Sequence, residues 1–113
     1  MVNITRGSTP ILPIYMDGVD LTDATVYFTI NQNDRKWTKV YPSSDGSVVA
    51  EYDGTKTTFT LHLSQHDSLY LREGKAELQP RIIYEDGTCP PVGVKQINIK
   101  KVLLEGVITY VSR

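Results

Sequence analysis

The stretch Ala24-Thr25-Val26-Tyr27-Phe28-Thr29-Ile30 decides the fold class. Successive side chains on an extended strand point to opposite faces, so Val26, Phe28 and Ile30 fall on one side and Thr25, Tyr27 and Thr29 on the other. An apolar row against a mixed one is the mark of a strand with one buried face. The pattern recurs downstream. In Thr57 to Leu63 the inward set is Phe59, Leu61 and Leu63, with Thr58, Thr60 and His62 outward; in Lys75 to Tyr84 it is Ala76, Leu78, Ile82 and Tyr84, with Lys75, Glu77, Gln79 and Arg81 outward. Weaker candidates fill the intervals: Pro10 to Met16, with Leu12, Ile14 and Met16 inward; Lys36 to Tyr41; Ser47 to Tyr52; and Val92 to Leu103. In the last of these Val102 and Leu104 are out of phase with Ile97 and Ile99, and a bulge near Lys100 and Lys101 would restore the register. About seven short strands, each with one wet face, predict an all-β, immunoglobulin-like antiparallel sandwich.

The connections support strands over helices. Asp17-Gly18, Asp45-Gly46, Asp53-Gly54 and Asp86-Gly87 lie between apolar-patterned runs, and Asp-Gly supplies the positive φ of tight hairpin turns. One helical signal interrupts them. Ser64-Gln65-His66-Asp67 reads as a capping sequence followed by Leu69 and Leu71, predicting a single helical turn near residues 64–69. Two prolines constrain the scheme: Pro13 divides the first strand into two pieces, and Pro80 requires its strand to be an edge there, bulged or broken.

At 113 residues the chain has the length of one domain with its own core. With 12 Lys+Arg against 13 Asp+Glu and a net charge of −1, it carries no field to gather nucleic acid or an anionic membrane surface. A single cysteine, Cys89, excludes an internal disulfide. The first residues have no basic region followed by an apolar run, so no signal peptide and no membrane span are expected.

Catalytic chemistry finds little to work with. His62 and His66, with Asp67 beside them, are the only candidate metal cluster. His62 is an outward strand position and His66 falls in the next turn, so two solvated histidines are the plainer reading. Cys89 sits in a turn before Pro90-Pro91, with no base in sequence to activate it. Asp20, Asp23 and Asp34 read as turn formers. No phosphate loop, nucleophile elbow or calcium loop is present, and the expectation is no enzyme, no cofactor and no metal. A glycan-binding module is the alternative, with Trp37 and Tyr41 as stacking platforms. Against it stands a core role for Trp37, because sequence alone does not choose the face that Trp37, Lys39 and Tyr41 share.

The segment Leu103-Leu104-Glu105-Gly106-Val107-Ile108-Thr109-Tyr110-Val111-Ser112-Arg113 is apolar and β-branched where a soluble domain ordinarily turns polar. It is either tucked against its own sheet or offered to a partner as an added strand. The organisation expected is a sandwich over 1–106 and an assembly segment over 107–113. Val107, Ile108, Tyr110 and Val111 are its candidate interface residues.

Several segments resemble small immunoglobulin-like proteins of tailed phages and prophages, and the amino-terminal domain of the phage baseplate upper protein family. Ile4-Thr5-Arg6-Gly7-Ser8-Thr9-Pro10 resembles that family's lead-in, and Asp20-Leu21-Thr22-Asp23-Ala24 with Val26-Tyr27-Phe28 its entry to the second strand. Leu61 to Leu69 followed by Gly74-Lys75-Ala76-Glu77-Leu78-Gln79 resembles its strand, helical turn and glycine-led strand. Pro80 and Cys89-Pro90-Pro91 depart from the pattern. The resemblance implies a virion component of a tail, baseplate, fibre or collar, or a head decoration protein. Such a component self-associates and docks other virion proteins, with Arg6 added to the interface set and no catalytic residue.

Overall fold

The computed structural model describes residues 2–112 and contains eight strands and one short helix. They are β1 (Val2–Thr5), β2 (Ile11–Asp17), β3 (Thr25–Gln32), β4 (Arg35–Tyr41), β5 (Val48–Tyr52), β6 (Lys56–His62), α1 (Gln65–Tyr70), β7 (Gly74–Ile83) and β8 (Lys95–Lys100). Two sheets face each other, one of five strands in the order β1-β8-β7-β3-β4 and one of three in the order β2-β6-β5. All pairings are antiparallel except β1 with β8, which run parallel from Val2↔Ile97 to Thr5↔Lys100. The all-β sandwich expected from alternation is the fold observed, with eight strands rather than about seven. The added strand is β1: with only Ile4 buried, it shows no alternation long enough to read, and the residues that pair with it lie 95 positions away in sequence.

The core lies between the sheets where the alternation placed it. Val26, Phe28 and Ile30 from β3 meet Phe59 and Leu61 from β6, and all five are fully buried. Phe28 and Phe59 touch edge to face across the interior at 5.2 Å between ring centroids, and Tyr41 packs on the other side of Phe59 at 5.3 Å. This geometry sets a positive ring edge against a negative ring face. Thr57 is the polar member of the core. Its hydroxyl donates to the Val19 carbonyl at 2.6 Å and accepts from the Leu21 amide at 2.9 Å, fastening the β2–β3 crossover to the smaller sheet.

The prolines are accommodated differently. β2 is continuous through Pro13, because β2 is an edge strand. Pro10 and Gly18 bond toward β6, so by alternation the odd-numbered residues turn their polar groups to the open flank, and the N–H that Pro13 lacks falls on that flank. At Pro80 the edge option holds: β8 pairs with β7 only as far as Leu78, so β7 has no partner on that side two residues later. Pro80 itself faces the core.

The Asp-Gly pairs carry the expected backbone but mostly not the expected topology. All four glycines have positive φ, yet only Asp53-Gly54 closes a tight hairpin, between β5 and β6. Asp17-Gly18 begins the β2–β3 crossing between the sheets, Asp45-Gly46 lies late in the β4–β5 crossing, and Asp86-Gly87 lies in the longer β7–β8 loop. The remaining tight hairpin, β3 to β4, turns on Asn33-Asp34 with Asn33 at φ 55. Asn tolerates the left-handed region better than most residues, and Asp34 beside it stands in the turn, as expected of a turn former.

β8 ends at Lys100 without a bulge. The out-of-phase Val102 and Leu104 are not strand residues; the chain has left the sheet. The last strand therefore ends at Lys100, and the chain beyond it stays tied to the domain as far as Glu105 through Arg6.

Candidate functional site

The capping sequence folds as read. Ser64 caps α1: its hydroxyl accepts from the Asp67 amide at 3.1 Å and the Asp67 carboxylate accepts from the Ser64 amide at 2.9 Å. Asp67 also accepts from the Trp37 indole N–H at 2.9 Å, and Lys39 Nζ lies 3.5 Å from it. Burial raises the Asp67 pKa, but the hydrogen bonds from Trp37 and Ser64 and the charge of Lys39 outweigh it, so the carboxyl sits below its ordinary value. Asp67 is thus committed to joining α1 to β4. His62 and His66 are both exposed, and among the described residues no group of three His, Cys, Asp or Glu side chains could hold a metal.

Trp37 is 8% exposed and faces the core, so its ring offers no face to a sugar. Tyr41 is spent similarly, its ring on Phe59 and its hydroxyl donating to the Thr22 carbonyl at 2.8 Å. The alternative of a stacking platform at these two residues is set aside by the direction of β4, which turns Trp37 and Tyr41 inward and gives Trp37 the core role weighed against it. Cys89 is an exposed free thiol in the β7–β8 loop. The outer face of the larger sheet carries a shallow groove of about 320 Å³ lined by Thr29, Asn31, Lys36, Glu77, Gln79, Arg81 and Val94. Asn31 Oδ1 is buried there without a partner among the described residues, a place suited to an ordered water.

Asp20, Asp45, Asp53 and Asp86 each accept from backbone amides two or three residues on, the turn-forming role expected of Asp20. Asp53 is the extreme case. Amides of Thr55 and Lys56, then the Thr55 hydroxyl, draw its pKa down to about 2.

Arg6 is a fastener rather than an interface residue. Its Nε donates to the Leu71 carbonyl at 2.6 Å and Nη2 to the Leu69 carbonyl at 3.1 Å, while Nη1 pairs with Glu105. The guanidinium ties the β1–β2 link to the end of α1 and to the chain beyond β8, and little of it remains to meet a partner.

The segment after β8 is the unusual surface. Leu103, Leu104, Ile108, Tyr110 and Val111 are exposed to 92%, 69%, 59%, 88% and 76%, far more than their hydrophobicity favours, and none joins a sheet. Besides the Arg6–Glu105 pair, a polar contact at Ile108 holds the segment. The Gln65 side-chain amide donates to the Ile108 carbonyl at 3.1 Å and accepts from the Ile108 amide at 2.9 Å, the two bonds a neighbouring strand would make. A groove of about 500 Å³ lies between Gln65 and residues 108–111. Residues 101–112 form no strand in either sheet.

The chain thus belongs to the class of two-sheet β-sandwiches, and its most exposed apolar side chains, Leu103, Tyr110 and Val111, lie on the extended segment after β8. No helix among the described residues is long and apolar enough to cross a membrane. No protein-family model and no curated protein matches this sequence.

Proposed function

We propose that this chain is an immunoglobulin-like structural protein of a phage virion, in the tail, baseplate, fibre or collar region, acting by protein–protein association and not by catalysis. The observation that carries the reading is the run of exposed apolar side chains from Leu103 to Val111, held out from the sandwich. Burying such side chains against a partner contributes about 25 cal/mol per Å² of apolar surface. The strand order supports the immunoglobulin-like part: β2, β6 and β5 take the B, E and D places, and β8, β7, β3 and β4 the G, F, C and C′ places. Trp37 then stands on the C′ strand rather than C, and the inter-sheet disulfide of antibody domains is absent because Cys89 is the chain's one cysteine. The segments resembling the baseplate upper protein family supply the virion part of the proposal.

The test is twofold. Sedimentation over a wide concentration range is expected to show self-association, and antibodies to the chain are expected to label purified particles from the source strain. A protein that stays monomeric at high concentration and is missing from particles would overturn the reading.

A further inference from the structure

The sandwich has four open strand edges, and three are protected. β1 is only four residues long, β2 presents Pro13 on its open flank, and β4 carries Arg35, Lys36 and Lys39. Short strands, prolines and cations are the usual means of keeping an edge from pairing. β5, Val48-Val49-Ala50-Glu51-Tyr52, has no proline and no cation.

The backbone direction of β5 follows from two bonds. The Ser47 carbonyl accepts from the His62 amide, and the Asp53 amide donates to the Lys56 carbonyl, so odd-numbered residues of this stretch bond inward to β6. Val48, Ala50 and Tyr52 turn their amides and carbonyls to the open flank. Val48 is covered, since the Ser43 hydroxyl meets both its amide and its carbonyl. Among the described residues Ala50 and Tyr52 are left as a free row of two donors and two acceptors.

A matching row lies on the segment after β8. One planar amide reaches both the N–H and the C=O of Ile108 because these point to the same side, as they do in extended backbone. Continuing that geometry, Val107, Thr109 and Val111 present their amides and carbonyls on the flank away from Gln65. The segment is therefore bonded at Ile108 on one side, and its other flank has no partner among the described residues.

We propose that residues 107–111 of one copy of this chain add to the open flank of β5 in a second copy as an antiparallel strand. The proposal rests on the assembly reading above and names its partner and register. Val107 pairs with Tyr52 of the other copy and Thr109 with Ala50, using the free rows. Between them Ile108 faces Glu51 and Tyr110 faces Val49 on the outer side of the sheet. Tyr110 and Val49, exposed to 88% and 50%, then cover each other, which favours this register.

Single-cysteine chains test it. On a Cys89→Ser background, one protein carries Tyr110→Cys and a second carries Val49→Cys, both at exposed positions that leave the core untouched. Opposed residues of a non-hydrogen-bonded antiparallel pair have Cα atoms about 4.5 Å apart, within the range a disulfide spans. Mixing and mild oxidation are expected to give a disulfide heterodimer several-fold above a control in which Lys36→Cys on β4 replaces Val49→Cys. Thr109→Pro in the Tyr110→Cys chain removes the Thr109 donor and should return the yield to the control level. Yield at the control level in a protein that sediments as an oligomer would overturn the docking and leave the assembly reading standing. A protein that sediments as a monomer at every concentration and gives no cross-link would overturn both.

Discussion

The Trp37 indole donates a 2.9 Å hydrogen bond to Asp67, so the edge strand of the larger sheet is fastened to the N-terminal cap of the helix that carries the chain between sheets. The carboxylate serves three groups at once: the Ser64 amide, the indole and the Lys39 ammonium. Removing one partner of such a bond costs more than the bond adds, because the other is left half-buried and unmet.

Asp67→Ala is therefore expected to cost about 1–3 kcal/mol, because it leaves the Trp37 indole and the Ser64 amide without their acceptor while the Ser64 hydroxyl still meets the backbone amide of residue 67. Trp37→Phe, which keeps the ring but loses the donor, should cost less. Urea denaturation followed by circular dichroism measures both. Equal stability of Asp67→Ala and the parent would mean that the cap and the indole bond are not coupled to folding.

The same carboxylate sets an acid response. Its folded pKa lies below the ordinary value of 3.8, so the stability it contributes is fully present above that value and is lost as pH falls through the lower folded value. Asp20, Asp45, Asp53 and Asp86 are displaced in the same direction by bonds from their own turns. Stability is expected to fall below pH 3.8, and Asp67→Asn should make that fall shallower. A carboxyl-resolved NMR titration should place Asp53 at about 2.

Phe28 and Phe59 join the sheets at the centre of the core, both fully buried. Replacing either by alanine is expected to cost about 3–5 kcal/mol. A double-mutant cycle should assign about 0.5–1.5 kcal/mol to their edge-to-face contact. Complete additivity in chemical denaturation would remove that contact from the account.

Thr57→Val keeps the shape of the side chain and deletes its hydroxyl, leaving the Leu21 amide without its acceptor. The buried, unmet donor is expected to cost about 1–3 kcal/mol. Faster hydrogen exchange at Leu21 than at strand amides of β3 should accompany it.

Most of the core was legible because alternation is a local property. Val26, Phe28, Ile30, Phe59, Leu61 and Leu63 declare their face through their immediate neighbours, and the Ser64 to Asp67 cap declares itself within four residues. The failures share the opposite character. The pairing of β1 with β8, the hydrogen-bond partner of Trp37 and the internal role of Arg6 all depend on groups far along the chain: Asp67 for Trp37, and Leu69, Leu71 and Glu105 for Arg6. The Asp-Gly pairs show the limit most plainly, since a positive φ specifies a sharp turn but not which sheet the chain enters after it. Of the candidate site, the apolar segment was visible in sequence, whereas its attachment through Gln65 was not, because glutamine 43 positions away carries no pattern of its own.

The parallel pairing of β1 with β8 gives the domain a mechanical character. Tension applied before Val2 and after Lys100 pulls these neighbours along their length in opposite senses. The backbone bonds between them, over the pairs Val2↔Ile97 to Thr5↔Lys100, then share the load in shear instead of opening one after another. Force applied across that pair meets its resistance at the rim of the larger sheet, before it reaches the core.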